Sequence, residues 1–162
     1  MIIRESFGIC DSMIQIMGGF NMTIKQISVF LENKPGKLAE FTKCLSQAGI
    51  NLRALSVAEA SDFGIIRVLV DDIYNATTVL RDADYICSIT EVLAVEVKDQ
   101  PGALAEMISV LADSGVNVEY MYAVTSSKKA SAYMIVRVSD NKAAVEVLEK
   151  AGIKTVAQDK LV

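Results

Sequence analysis

From about residue 23 onward, apolar positions recur along the chain with a period that switches between two values. Ile27, Val29 and Leu31 occupy alternate positions, as do Leu93, Val95 and Val97, and a period of two puts each trio on one face of a strand. Pro35-Gly36 and Pro101-Gly102 end these strands. The spacing then becomes helical, with Leu38, Phe41, Thr42 and Leu45 in one segment and Leu104, Met107, Ile108 and Leu111 in the other. Gly49 and Gly115 stand where the residue after a helix needs positive φ. Strands are predicted over 50–58 and 116–124, hairpin tips at 60–62 and 126–129, and return strands over 63–70 and 131–138. Asp72 and Asp140 fit the N-caps of second helices carrying Ala76, Val79, Leu80 and Ala144, Val147, Leu148. Short final strands are predicted over 86–89 and 153–157.

The two halves are copies of one unit. At an offset of about 66, Pro35, Gly36, Leu38, Ala39, Glu40, Leu45, Gly49 and Asn51 recur as Pro101, Gly102, Leu104, Ala105, Glu106, Leu111, Gly115 and Asn117. Each unit reads βαββαβ, which implies an α+β fold of two tandem ferredoxin-like units, antiparallel sheets with helices on one face. The expected division is a leader over 1–22, a first domain over 23–89 and a second over 90–162. Phe30, Leu55 and Leu69 keep the other sheet face from being wholly polar, so it should meet a neighbour in the second unit or another chain. No Pro/Gly/Ser linker separates the copies, and residues 86–97 run almost without a break from one into the next. Mutual packing of the units is therefore expected.

Residues 1–21 show neither period. Glu5 directly after Arg4, and Asp11 amid the apolar residues, do not fit a signal peptide. Gly18-Gly19-Phe20-Asn21 is readable as GGA-GGT-TTT-AAT, a purine-rich ribosome-binding sequence just before ATG, so Met22 is the expected start, the alternative being a disordered N-terminal extension.

Composition narrows the chemistry. The chain has no histidine, which removes Ser-His-Asp and Cys-His nucleophile systems and HExxH zinc sites. Cys10, Cys44 and Cys87 are odd in number and lack CxxC spacing. No disulfide framework or zinc knuckle is expected, and a cytoplasmic setting fits. Cys44 and Cys87 read as core thiols. Sixteen basic residues against 20 acidic ones give a net charge of −4, contrary to the basic face of a nucleic-acid binder. Charges interrupt every apolar stretch well before the roughly 18 residues of a membrane span. Neither metal nor cofactor is expected. Asp71-Asp72 lacks further carboxylates at ligand spacing, Tyr120 and Tyr122 suit either strand packing or an interface, and Lys128-Lys129 suits a solvated tip.

What remains is the duplicated loop. A helix start offers unpaired N–H donors and partial positive charge to a carboxylate, and a glycine there leaves room for close approach. Asn33 or Asp99 supplies an oxygen suited to an ammonium group, and the Asn51 and Asn117 amides both donate and accept. Together these groups complement the two charged ends of a free amino acid. Taken singly, a Pro-Gly pair is a helix-starting turn and an Asn after Gly a cap residue. It is the repetition of the whole set that points to a ligand, although either copy can keep the fold and lose the site.

The repeated strand-[Asn/Asp]-x-Pro-Gly-x-Leu-Ala-helix-Gly-x-Asn pattern resembles the ACT domain, a regulatory module of amino-acid metabolism, over residues 24–157. The chain is similar to bacterial proteins made of two tandem ACT domains. The resemblance implies a non-catalytic amino-acid sensor and homodimer. Its ligand would sit between paired domains, touched by Asn33, Lys34, Pro35, Gly36, Lys37 and Leu38 facing Asn51 or Asn117, with Asp99, Gln100, Pro101, Gly102, Ala103 and Leu104 as the second loop. The two helix openings would then face one another. Leu31 and Val97 stand where some serine-binding members are polar, and Asp99 replaces Asn33, so the loops differ. An alternative is a regulatory subunit acting in trans on an amino-acid biosynthetic enzyme, similar to the small subunit of acetolactate synthase, whose N-terminal ACT domain also has a Glu-Asn-x-Pro-Gly loop. Against it, the second unit here is another complete copy.

Overall fold

A computed structural model describes residues 22–59, 61–125 and 131–161. The leader expectation, Ala60 and the tip at 126–130 lie outside the described residues. The elements are β1 (Thr23–Glu32), α1 (Lys37–Gln47), β2 (Leu52–Glu59), β3 (Phe63–Val70), α2 (Ile73–Asp82), β4 (Cys87–Lys98), α3 (Ala103–Asp113), β5 (Val118–Thr125), β6 (Ser131–Val138), α4 (Asn141–Lys150) and a 3-10 turn at Gln158–Lys160. Local rules account for most boundaries. Asp72 and Asp140 cap α2 and α4, accepting from Asn75 N–H and Ala143 N–H at 3.0 Å each. After α1, Gly49 at φ 71° lets Gly49 N–H reach Ser46 O and Ile50 N–H reach Leu45 O, both at 3.0 Å. This double closure continues the chain past the helix end. It also moves the start of β2 from the expected residue 50 to Leu52.

The two expected sheets are one. Among the described residues, six antiparallel strands run in the order β2-β3-β1-β4-β6-β5. The last strand of the first βαββαβ unit and the first strand of the second are both β4, which passes unbroken through the expected boundary at residues 89 and 90. The first part of β4 pairs with β1, from Val29↔Cys87 to Thr23↔Leu93. Its second part pairs with β6, from Leu93↔Val136 to Lys98↔Ser131. This sharing shortens the last expected strand, 153–157, to a single bridge between Val95 and Thr155. Because β1 holds that edge of β4 as far as Leu93, only the stretch beyond it accepts the returning chain, through Val156 N–H to Ala94 O and Glu96 N–H to Lys154 O.

Strand alternation divides the interior into three clusters. On the helix side, Ile27, Val29, Phe41, Leu45, Ile66, Val68 and Leu80 form one core. Leu93, Val95, Met107, Leu111, Val136 and Leu148 form its counterpart. The opposite face carries a third, with Ile24 and Leu69 of the first unit against Tyr133 and Ile135 of the second, together with Val92, Ala94 and Val156. Of the residues expected to seek a neighbour there, the other unit covers Leu69, whereas Phe30 stays exposed, and Leu55, paired with the helix-side Val68, lies exposed on the helix-side face. A flat sheet would hold β3 and β5 about 19 Å apart at the usual strand spacing. Here the Arg67 guanidinium of β3 lies 3.9 Å from the Tyr120 ring centroid of β5, so the sheet curls over this face. Inside the curl Gln26, fully buried, donates to Tyr120 Oη at 2.8 Å and to Ser28 Oγ at 3.1 Å and accepts from Tyr122 Oη at 2.9 Å. Burial raises the Tyr122 phenol above its ordinary pKa.

Candidate functional site

Each Pro-Gly loop is a tight turn whose third residue must be glycine. Lys37 N–H closes on Lys34 O at 3.3 Å, and Ala103 N–H on Gln100 O at 3.3 Å. Gly36 and Gly102 both have φ 89°, the left-handed value that a type II turn requires. A Cβ at either position would meet nothing within 4 Å, so backbone conformation rather than crowding by the protein demands glycine. The same turn then starts the helix, with Glu40 N–H on Gly36 O and Glu106 N–H on Gly102 O, 2.9 Å each.

The two loops border different cavities. Beside the first, a space of about 130 Å³ opens toward the β2–β3 hairpin, lined by Asn33, Lys34 and Leu38 with Leu31, Val57 and Ile66 among others. Asn33 is anchored there by its own N–H, which donates to Asp62 O at 3.1 Å. Beside the second loop, a space of about 300 Å³ opens on the other flank, between β4, the first turn of α3 and the chain leaving α4. The residues around it include two acids, Glu96 and Glu106, two lysines, Lys98 and Lys154, and Gln100; Glu96 and Lys98 border it through the strand, since alternation turns their side chains to the face opposite Val97. Val97, Ala103, Met107 and Ile153 supply apolar surface. Opposite charges on a partly apolar wall suit a small zwitterion, and the volume lies at the small end of ligand pockets, roughly 300–1,000 Å³.

Within one chain the expected partners of these loops are elsewhere. β1 and β4 are antiparallel, so the Pro35-Gly36 and Pro101-Gly102 openings leave opposite ends of the sheet and do not face one another. Asn51 and Asn117 are exposed beyond the C-terminal ends of α1 and α3, at the far end of an 11-residue helix from the loop of their own unit. Asn117 pins the start of β5 to the end of β6, its N–H on Ser139 Oγ at 3.2 Å and its carbonyl accepting from Ser139 N–H at 3.0 Å, and it lines an open depression with Ile108 and Gly115. Of the expected second-loop residues, Gln100 and Ala103 line the cavity of about 300 Å³, whereas Asp99, Pro101, Gly102 and Leu104 do not.

Sequence reasoning missed Glu96, Lys98, Glu106, Met107, Ile153 and Lys154. The usable signal was the disagreement between the repeats, since a cavity follows from what one copy lacks. Among the described residues no three His, Cys, Asp or Glu side chains gather to hold a metal ion, and no helix is long and apolar enough to cross a membrane. Cys44 and Cys87 are half-buried free thiols.

A family model described as an ACT domain pair matches residues 22–162. A crystal structure of a protein from Bacteroides thetaiotaomicron is similar at 38% identity and TM-score 0.81, covering 86% of this chain and 96% of that one. The fold is also similar to the regulatory subunits of aspartate kinase from Thermus thermophilus, at 18% identity and TM-score 0.57 over 78% of this chain and 91% of that one. For Thermus flavus the values are 17%, 0.58, 79% and 92%. No curated protein matches the sequence.

Proposed function

The chain belongs to the ACT domain-pair family, and we propose that it is a non-catalytic regulatory protein that binds a free amino acid and alters a partner enzyme of amino-acid metabolism. The observation that carries this reading is the cavity beside Pro101-Gly102, where Glu106 of α3 carries an acceptor for an ammonium group and Gln100 and Lys154 carry donors for a carboxylate. Thermus proteins of the same fold are regulatory subunits of aspartate kinase, which favours a separate catalytic partner here as well. A homodimer through the edge strand β2 fits the exposure of Leu38, Leu55 and Val57, at 43%, 40% and 50%, beside unpaired strand backbone. Free Cys44 and Cys87 are compatible with a cytoplasmic setting.

The cavity wall has a connection through which binding would be felt. Lys154 is followed by the Thr155 bridge and then by Gln158, whose Oε1 accepts from Lys25 N–H of β1 at 2.9 Å. Ordering 151–154 around a ligand would steady the contact between the last segment and the first strand, and an allosteric coupling of about 1–3 kcal/mol is the usual scale. Thermal-shift measurement with each of the twenty amino acids at millimolar concentration tests the reading. One or a few should raise the melting temperature by several degrees, and the absence of any rise overturns it.

A further inference from the structure

The repeats share a loop but not what lies behind it. Their equivalent positions follow from equivalent hydrogen bonds. Tyr85 N–H donates to Leu80 O after α2, and Ile153 N–H to Leu148 O after α4, at 2.9 Å each. Tyr85 therefore stands where the second unit has Ile153. By the same correspondence Phe41 stands for Met107, Lys37 for Ala103 and Glu40 for Glu106. In the second unit Ala103, Glu106, Met107 and Ile153 all face the 300 Å³ cavity.

In the first unit the corresponding groups close on one another. The Tyr85 ring meets Phe41 edge-on, with centroids 5.6 Å apart and planes at 84°. Tyr85 packs partly buried against the first unit's helix-side core, and burial raises its pKa. Lys37 Nζ pairs with Glu40 Oε2 at 2.8 Å. In the second unit alanine replaces that lysine, and the Glu106 carboxylate makes no hydrogen bond or ion pair among the described residues. Where the second unit has a branched aliphatic chain, a thioether and a carboxylate around its cavity, the first has a ring, a second ring packed edge-on against it and an ion pair.

We propose that each chain carries one amino-acid site on this flank, in the second unit, and that the first unit is a self-occupied copy in which the Tyr85 ring and the Lys37–Glu40 pair take the ligand's place. Two acidic and two basic residues surround the site, a balanced local charge that, with the apolar Val97, Met107 and Ile153, favours a net-neutral amino acid with an aliphatic side chain over acidic or basic ones. The proposal rests on the sensor reading above, which it deepens.

The test is calorimetric titration of the full chain with whichever of the twenty amino acids gives the largest thermal shift. The expected stoichiometry is one per chain. Ile153→Tyr, alone and with Met107→Phe, rebuilds the plug and should weaken binding tenfold or more, with circular dichroism and melting temperature verifying the fold. Tyr85→Ile with Lys37→Ala opens the first unit and should raise the stoichiometry toward two. Two sites in the wild-type chain, or unchanged affinity in a folded Ile153→Tyr chain, overturn the one-site proposal and leave the sensor reading intact. Binding by none of the twenty overturns both.

Discussion

Gln26 shows how a single side chain joins the two repeats. An amide fully removed from water loses several kcal/mol of hydration unless its donors and acceptor are met, and Gln26 meets them with Ser28, Tyr120 and Tyr122. Tyr122→Phe removes the donor to Gln26 Oε1 and strands a buried acceptor, which should cost about 1–3 kcal/mol in urea unfolding. The same residue has a pH signature. Its folded pKa is raised, so its contribution is complete below the unfolded phenol's ordinary value near about 10 and is lost as pH rises beyond it. Stability measured from about pH 9 to 11 should therefore fall more steeply for the wild type than for Tyr122→Phe; parallel curves would show that the phenol is not protected.

Among the elements, those governed by local chemistry follow the sequence closely. Asp140 caps α4 and accepts from Ala143 N–H, so Asp140→Ala should destabilise the protein by about 1 kcal/mol, with Asp140→Asn recovering most of the loss. A difference below about 0.2 kcal/mol in denaturant midpoints would show the cap to be idle. The strands were legible as strands because Ile27, Val29 and their counterparts alternate. The fusion of 86–89 with 93–97 was only half legible. Absence of a linker suggested continuity, but two strands in separate sheets and one strand in a shared sheet have the same local pattern. The choice depends on β1 and β6 occupying opposite edges of β4, a long-range fact.

For the whole molecule, β4 and the third core have a thermodynamic consequence. Neither unit has a complete sheet without β4, and Ile24 and Leu69 of the first unit are buried with Tyr133 and Ile135 of the second. Calorimetry should accordingly show one cooperative transition, with equal calorimetric and van't Hoff enthalpies; two resolved transitions would mean that the units unfold independently. The candidate site shows the same dependence on tertiary arrangement. The Pro-Gly loops were visible as turns able to start helices. Glu96, Lys154 and Ile153 were not visible as a site, because they come from strand and post-helix positions brought together by the return of the chain past α4.

Periodicity, glycine position and capping are short-range effects, so the sequence by itself determined the order of elements, the duplication, the two loops and the absence of imidazole chemistry. Which strand edges pair, and which side chains fill the space between them, are settled by contacts between residues far apart in the chain. Only the tertiary structure, therefore, decided that two units share one sheet, that their loops leave opposite ends of it, and that Tyr85 meets Phe41 edge-on in one copy where Ile153 and Met107 border a cavity in the other.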